Sequence, residues 1–194
     1  SEYFDNMLNV HGFSEPRRVF ALASLELAQA AVRIRQEYRI PITGFDLAGP
    51  EVGYPAEDHI EAYNYAHKYF LMKTVHAGEA YGPESIFQAI TDLHADRLGH
   101  GTFLMDTATI SDPEIEDREQ YVRDLAQYIA DRRITIEICL TSNMQTNPRL
   151  RNLSHHPFRL MNEARLSTTI CTDNRTVSNT TVSREIERAM RHLA

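Results

Sequence analysis

The sequence predicts an α/β fold in which about five parallel strands alternate with helices. Three observations support this prediction. Apolar positions recur at helical spacing over long stretches, short apolar runs follow them, and Gly, Pro or Asp residues separate the two kinds of segment. Because a helix stands between successive strands, the strands should run parallel, as in βαβ units. The alternation alone is compatible with either a doubly wound sheet or a barrel.

The predicted elements follow an irregular lead-in that we assign to residues 1–20. Residues 21–194 then form one domain. Strands are predicted over 40–47, 71–75, a short segment ending at 98, 134–140 and 168–172. Helices are predicted over 22–38, 57–69, 83–94, 112–132, 157–164 and 180–193. Asp112 and Pro113 are the expected cap and first-turn proline of the fourth helix.

Composition restricts the function classes. The chain has 194 residues and a formal net charge of −7, which argues against a nucleic-acid partner. No apolar run approaches the roughly 18 residues of a membrane span, so no membrane association is expected. The first residues do not resemble a signal peptide. Cys139 and Cys171 lie in apolar stretches and are predicted to be buried thiols, which favours a reducing, cytoplasmic location.

Polar residues follow each of the five predicted strands. They occupy positions 46–49, 76–79, 99–101, 141–143 and 172–174. In parallel α/β folds, ligands bind at the carboxyl ends of the strands. We therefore expect these five clusters to contribute to one functional site.

His76 and Glu79 are the first candidates within these clusters. A neutral imidazole suits zinc, and a carboxylate three residues later could move a proton without binding the metal. The alternative is an ordinary strand-end turn with a hydrogen-bonded histidine. From the pair alone the two interpretations are about equally supported.

The other clusters contain residues with similar alternatives. His100 lies between two glycines and could act as a general base, orient a metal-bound hydroxide, or simply be an exposed loop residue. Asp173 could bind a metal, transfer a proton or cap a helix. Ser142 and Asn143 are interpreted as structural supports. The adjacent His155 and His156 are assigned to a polar loop without a functional role.

Five motifs occur in a fixed order: FDLAG at 45–49, TVHAGE at 74–79, RLGHG at 97–101, EICLTSN at 137–143 and TDN at 172–174. Together they strongly resemble the adenosine deaminase family of the amidohydrolase superfamily. The resemblance extends from about residue 22 to the end of the chain. Each motif is weak alone, whereas the ordered set is specific.

The resemblance implies a (β/α)₈ TIM-type barrel with one catalytic zinc ion, of which residues 21–194 would form the later, C-terminal part. It implies that His76 and Asp173 bind zinc and that Asp173 also accepts a hydrogen bond from the metal-bound water. Glu79 would protonate N1 of a purine ring. His100 would help to deprotonate and orient the water.

The same resemblance implies substrate contacts and an activity. Gly49 would contact the purine through its backbone, and Asn174 would contact N7. The expected reaction is hydrolytic deamination of adenosine or a related 6-aminopurine nucleoside to an inosine-type product and ammonia. The expected partner is therefore a small-molecule purine nucleoside.

The sequence departs from the family pattern in two ways. Asn174 stands where many members have a second aspartate, and its amide could still donate to N7. The family's first strand ends in a His-x-His pair that supplies two further zinc ligands, and no such pair occurs here. This chain alone is therefore expected to be inactive and could lack the metal.

Three explanations of the missing pair stay open: a fragment of a complete enzyme, the ordered part of a longer chain, or a naturally truncated relative. An isolated five-stranded piece would expose sheet edges and is expected to self-associate. Two alternatives to a deaminase follow, namely a degenerate binding or interaction module and another amidohydrolase with the same barrel.

Overall fold

The computed structural model describes residues 16–193. Strands β1 to β5 span Gly44–Leu47, Met72–Ala77, Arg97–His100, Thr135–Ile138 and Ser167–Ile170. Helices α1 to α7 span Pro16–Glu37, Ile60–Lys68, Pro83–Thr91, Arg118–Arg132, Leu140–Thr146, Phe158–Glu163 and Val182–His192. Short 3-10 helices occupy Ala56–His59, Thr107–Thr109 and Leu153–His155.

The five strands belong to one sheet in the order β1-β2-β3-β4-β5. The pairs β1–β2, β3–β4 and β4–β5 are parallel, with Leu47 opposite Val75 and Ile138 opposite Ile170. A sequential order is that of a (β/α)₈ barrel, whereas a doubly wound sheet reverses direction at a switch point. The predicted α/β fold with parallel, barrel-type strands is confirmed.

The first helix begins earlier than predicted. Helix α1 starts at Pro16, so positions 16–20 of the predicted irregular lead-in are helical. Proline suits the first helical position because its missing N–H needs no partner there. Val19 is 0% exposed and extends the apolar face of α1 by one turn. The rest of the predicted lead-in, residues 1–15, lies outside the described residues.

Helix α4 begins at Arg118 and not at Asp112. Asp117 caps it by accepting a hydrogen bond from the Gln120 amide at 2.9 Å. Asp112 instead accepts from the Glu114 amide at 2.8 Å and closes a separate turn. The predicted cap was therefore assigned to the wrong aspartate, since both can accept from an amide two or three residues later.

The described residues fall into two compact units. The first comprises residues 16–75 and 88–96, with α1 packed against α2. Its buried side chains include Ala28 and Val32 of α1 and Ala62 and Tyr63 of α2. Lys73 is buried and forms an ion pair with Asp96 at 2.8 Å, so its charge is compensated inside this unit.

The second unit comprises residues 76–87 and 97–193. Strands β3 and β4 supply Leu98, Ile136 and Ile138 to its core, and Met161 of α6 is also fully buried. No helix within residues 16–193 is both long and apolar enough to cross a membrane. Both thiols are free, with Cys139 buried and Cys171 partly buried, and burial raises the pKa of each.

Helix α7 is anchored to α5 by a buried carboxylate, Glu185, which is 0% exposed. Its oxygens accept hydrogen bonds from the Thr141 amide at 2.9 Å, from the Thr141 hydroxyl and from the Thr180 hydroxyl at 2.5 Å. Arg188 donates to the Thr141 hydroxyl at 2.7 Å. These bonds hold α5, a helix that was not predicted because Thr, Ser and Asn have low helix propensity.

Replacing Glu185 by Ala should lower the free energy of unfolding by about 1–3 kcal/mol, because the amide and two hydroxyls lose their shared acceptor. Chemical denaturation would measure the loss. The matched control is Glu187→Gln on the same helix, whose side chain is 57% exposed beside Arg191. It should change stability by less than about 0.5 kcal/mol. Equal effects of the two substitutions would contradict this account.

Candidate active site

The second compact unit contains most of the predicted site residues. His76 lies near the carboxyl end of β2, and its imidazole packs against Gly99 of β3. A Cβ atom at residue 99 would lie 2.6 Å from the His76 Cδ2 atom, closer than such atoms approach. Gly99 is therefore required where it stands, because any larger residue would displace the His76 ring.

His100 ends β3 in an unusual backbone conformation. Its φ is 68°, in the left-handed region that non-glycine residues seldom adopt. Gly101 follows with φ of 57°, and its amide donates to the Ala77 carbonyl at 3.0 Å, which fixes the turn. The His100 side chain is only 2% exposed. A buried polar side chain on a strained turn is typical of functional positions.

The structure brings His76, His100 and Glu79 together. The two imidazole rings meet edge to face, with 4.9 Å between their centroids. His100 Nε2 lies 3.7 Å from Glu79 Oε2. The predicted pair His76 and Glu79 is thus part of a cluster that also contains the histidine from the next strand.

Burial is the main influence on Glu79 and raises the pKa of its carboxyl above the ordinary value. The nearby charge of Asp173 also raises this pKa. A hydrogen bond from Thr146 and the proximity of His76 act in the opposite direction without cancelling the effect of burial. Glu79 therefore keeps its proton to a higher pH than an ordinary glutamate does, as a general acid requires.

Asp173 follows β5 and also adopts a left-handed conformation, with φ of 55°. Ser142 of α5 donates to its Oδ2 atom at 2.7 Å. Ser142 therefore orients the carboxylate, which agrees with its predicted supporting role.

His156 was assigned to a polar loop without a functional role, and the structure shows that its side chain is buried there. His156 is 2% exposed, and its Nε2 atom lies 3.2 Å from Asn143 Oδ1. Asn143 is 0% exposed, and its Nδ2 atom lies 3.0 Å from His100 Nδ1. Sequence reasoning missed this contact because the burial of His156 depends on long-range packing. The adjacent His155 is exposed and lies at the end of the 3-10 helix Leu153–His155.

The two predicted substrate-contacting residues differ in their surroundings. Asn174 is exposed, and its Oδ1 atom accepts hydrogen bonds from the Thr176 and Val177 amides at 3.2 and 3.1 Å. The turn thus uses the amide oxygen and leaves the amide nitrogen for a ligand. Gly49 belongs to the other compact unit and has φ of 130°, with open space where a Cβ atom would stand. Its predicted contact with a purine stays a prediction.

The donor types of His76 and Asp173 suit zinc. Two such donors do not complete a zinc site, which takes at least three protein ligands. Within residues 16–193, no group of three or more His, Cys, Asp or Glu side chains is arranged to bind a metal ion. The described residues therefore do not fit a complete metal centre.

A family model described as adenosine deaminase matches residues 17–194. The adenosine deaminase of Mycobacterium sp. (strain JLS) is 40% identical over 168 residues, covering 87% of this chain and 44% of that protein. The chain belongs to the adenosine deaminase family.

Solved structures agree with this fold. An amidohydrolase from Burkholderia ambifaria with bound Zn aligns with a TM-score of 0.70 at 22% identity, over 88% of this chain and 44% of its own. An Arabidopsis N6-mAMP deaminase aligns with a TM-score of 0.67 at 27% identity, over 89% of this chain and 45% of its own. The chain thus spans about half the length of the relatives that it matches.

Replacing Gly99 by Ala should displace the His76 ring and cost about 1–3 kcal/mol of stability, as overpacked sites do. Chemical denaturation and the NMR signals of the His76 imidazole would report the two effects. Gly44→Ala is the matched control, since a Cβ atom there meets only the Met72 carbonyl oxygen at 3.5 Å. Unchanged His76 signals in the Gly99 variant would contradict the steric account.

The Glu79 carboxyl should ionise at a higher pH than an ordinary glutamate, which carboxyl ¹³C NMR can follow. Because the folded protein binds this proton more tightly, the resulting stabilisation is complete below the ordinary pKa. It is lost as the pH rises through the Glu79 pKa. Thr146→Val should raise the Glu79 pKa further, since the lost hydrogen bond lowers it. A normal or lowered pKa in the unmodified protein would contradict the role of burial.

Proposed function

We propose that this chain forms part of an enzyme that carries out zinc-dependent hydrolytic deamination of adenosine or a related 6-aminopurine nucleoside. The products would be the inosine-type nucleoside and ammonia. The observation that carries the proposal is the Glu79 carboxyl, whose pKa is raised by burial and which lies 3.7 Å from His100, in a chain of the adenosine deaminase family.

In this proposal Glu79 is the catalytic acid. A neutral carboxylic acid can donate its proton to ring nitrogen N1 and so make C6 electrophilic. Burial favours the protonated form of the Glu79 carboxyl.

His76 and Asp173 are proposed as two zinc ligands, with the remaining ligands supplied from outside residues 16–193. Zinc held by these residues and the remaining ligands would supply the Lewis acidity that activates a water molecule for attack. His100 is proposed to orient the attacking water, since its ring lies against His76 and faces Glu79. Ser142 holds the Asp173 carboxylate in place at 2.7 Å.

The proposed substrate is a small purine nucleoside, contacted by the Gly49 backbone and by the Asn174 amide nitrogen. A nucleotide would need basic groups near its phosphate, and Arg175 directly follows the last of these clusters in the sequence. One similar structure is an Arabidopsis N6-mAMP deaminase, so a nucleotide should be tested beside the nucleosides. A cytoplasmic location and self-association of the isolated chain belong to the same proposal.

One observation favours a second function. The described residues contain no group of three metal-binding side chains. This is also expected of a degenerate barrel that has lost its metal and acts as a binding or interaction module. Stoichiometric zinc in the purified protein would argue against that alternative, because two ligands alone hold zinc poorly.

The protein in its complete natural length, loaded with zinc, should release ammonia from adenosine or deoxyadenosine. The assay follows ammonia and the loss of adenosine absorbance, with adenine and AMP as comparison substrates. Glu79→Gln should reduce kcat by about 10²- to 10⁴-fold, because an amide cannot deliver the proton. Glu163→Gln, at an exposed position on α6, is the matched control and should leave kcat unchanged.

The absence of turnover on all four substrates would overturn the deaminase proposal. Full activity of the Glu79→Gln protein would overturn the role of Glu79 while leaving the reaction itself in place.

A further inference from the structure

A buried chain of hydrogen bonds, formed by Phe158, His156, Asn143 and His100, leads away from the cluster described above. The Phe158 amide donates to His156 Nδ1 at 3.1 Å. His156 Nε2 lies 3.2 Å from Asn143 Oδ1, and Asn143 Nδ2 lies 3.0 Å from His100 Nδ1. The side chains of His156, Asn143 and His100 are each at most 2% exposed. The proposed reaction assigns no role to His156.

The direction of this hydrogen-bond chain is set by the backbone at its far end. An amide N–H can only donate, so His156 Nδ1 must carry a lone pair. The proton of a neutral His156 must then be on Nε2. Burial lowers the pKa of His156 to about 4, so the ring is neutral at physiological pH.

The proton on His156 fixes the orientation of the Asn143 amide, and the amide in turn fixes the tautomer of His100. Because His156 Nε2 donates, the Asn143 atom that faces it must accept and is therefore Oδ1. The other end of the amide is then Nδ2, which can only donate. Its partner, His100 Nδ1, must accept and carries no proton.

We propose that His156 and Asn143 are positioning residues that hold neutral His100 in the tautomer with its proton on Nε2. This nitrogen is the one that faces Glu79, at 3.7 Å. The opposite tautomer would require the Asn143 amide to rotate and the His156 proton to move to Nδ1. The Phe158 amide would then lose its acceptor, so all three groups oppose the change together.

The tautomer decides between two roles that the sequence left open for His100. A general base needs a lone pair on the nitrogen that faces the reacting water, whereas a donor needs a proton there. With its proton on Nε2, His100 donates a hydrogen bond and orients its partner. This consequence rests on the proposed deaminase function, whereas the tautomer itself does not.

The tautomer can be measured on the full chain without substrate or metal. Long-range ¹H–¹⁵N spectra of histidine-labelled protein distinguish protonated from unprotonated ring nitrogens. We expect His100 to show an unprotonated Nδ1 and a protonated Nε2. A His100 ring with its proton on Nδ1 in the unmodified protein would overturn the proposal.

Asn143→Asp is the most informative substitution, because the Asp and Asn side chains have nearly the same shape. A carboxylate cannot donate, so His100 must carry a proton on Nδ1, and the Nδ1 signal should move to the position of a protonated ring nitrogen. His156→Leu removes the donor to Asn143 and should give a mixture of both tautomers. His156→Gln keeps an N–H at a similar position and should restore the original spectrum.

His155→Gln is the matched control, since His155 is the exposed neighbour of His156 and should leave the His100 signals unchanged. A purely structural role for His156 predicts lower stability in both His156 variants with no change of tautomer, and that result would overturn the proposal. Failure of the deaminase assay bears on the proposed function alone, because these spectra need no turnover.

Discussion

The buried Asn143 amide is the interaction on which the arrangement of the site depends. It has histidines at both ends and is 0% exposed, so neither its oxygen nor its nitrogen can turn to water for a partner. A buried amide that lost one partner would cost about 1–3 kcal/mol. The end of β3, the first turns of α5 and the loop before α6 are therefore fixed relative to one another. Glu185 secures the same region by accepting hydrogen bonds from Thr141, two residues before Asn143.

The strand ends then determine which chemistry is possible. His76 comes from β2, His100 from β3 and Asp173 from the residues after β5. His100 and Asp173 both adopt left-handed conformations; His100 does so in a buried setting, and Ser142 donates a hydrogen bond to the Asp173 carboxylate. Gly99 has no side chain, which leaves room for the His76 ring beside β3. Burial of Glu79 beside these groups favours a protonated acid where a catalytic proton donor is proposed.

Sequence reasoning predicted the parallel α/β fold and the cluster of His76, Glu79 and His100, because all depend on local patterns. Strand ends follow from apolar runs, and the polar residues that come next must share one edge of a parallel sheet. Helix α5 and the role of His156 could not be predicted in this way. Helix α5 is held by Glu185 from a distant segment, and the burial of His156 depends on packing that no local pattern encodes. The start of α1 was misplaced because one buried valine extends its apolar face.

A crystal structure of the complete, zinc-loaded protein with a bound 6-aminopurine nucleoside tests the central claim most directly. The claim is that Glu79 is the proton donor of a purine site built on these strand ends. It predicts the Glu79 carboxyl within about 3 Å of ring nitrogen N1, the usual hydrogen-bond distance. It also predicts His76 and Asp173 on the metal. A nucleoside bound away from Glu79, or with N1 facing a different group, would contradict the account.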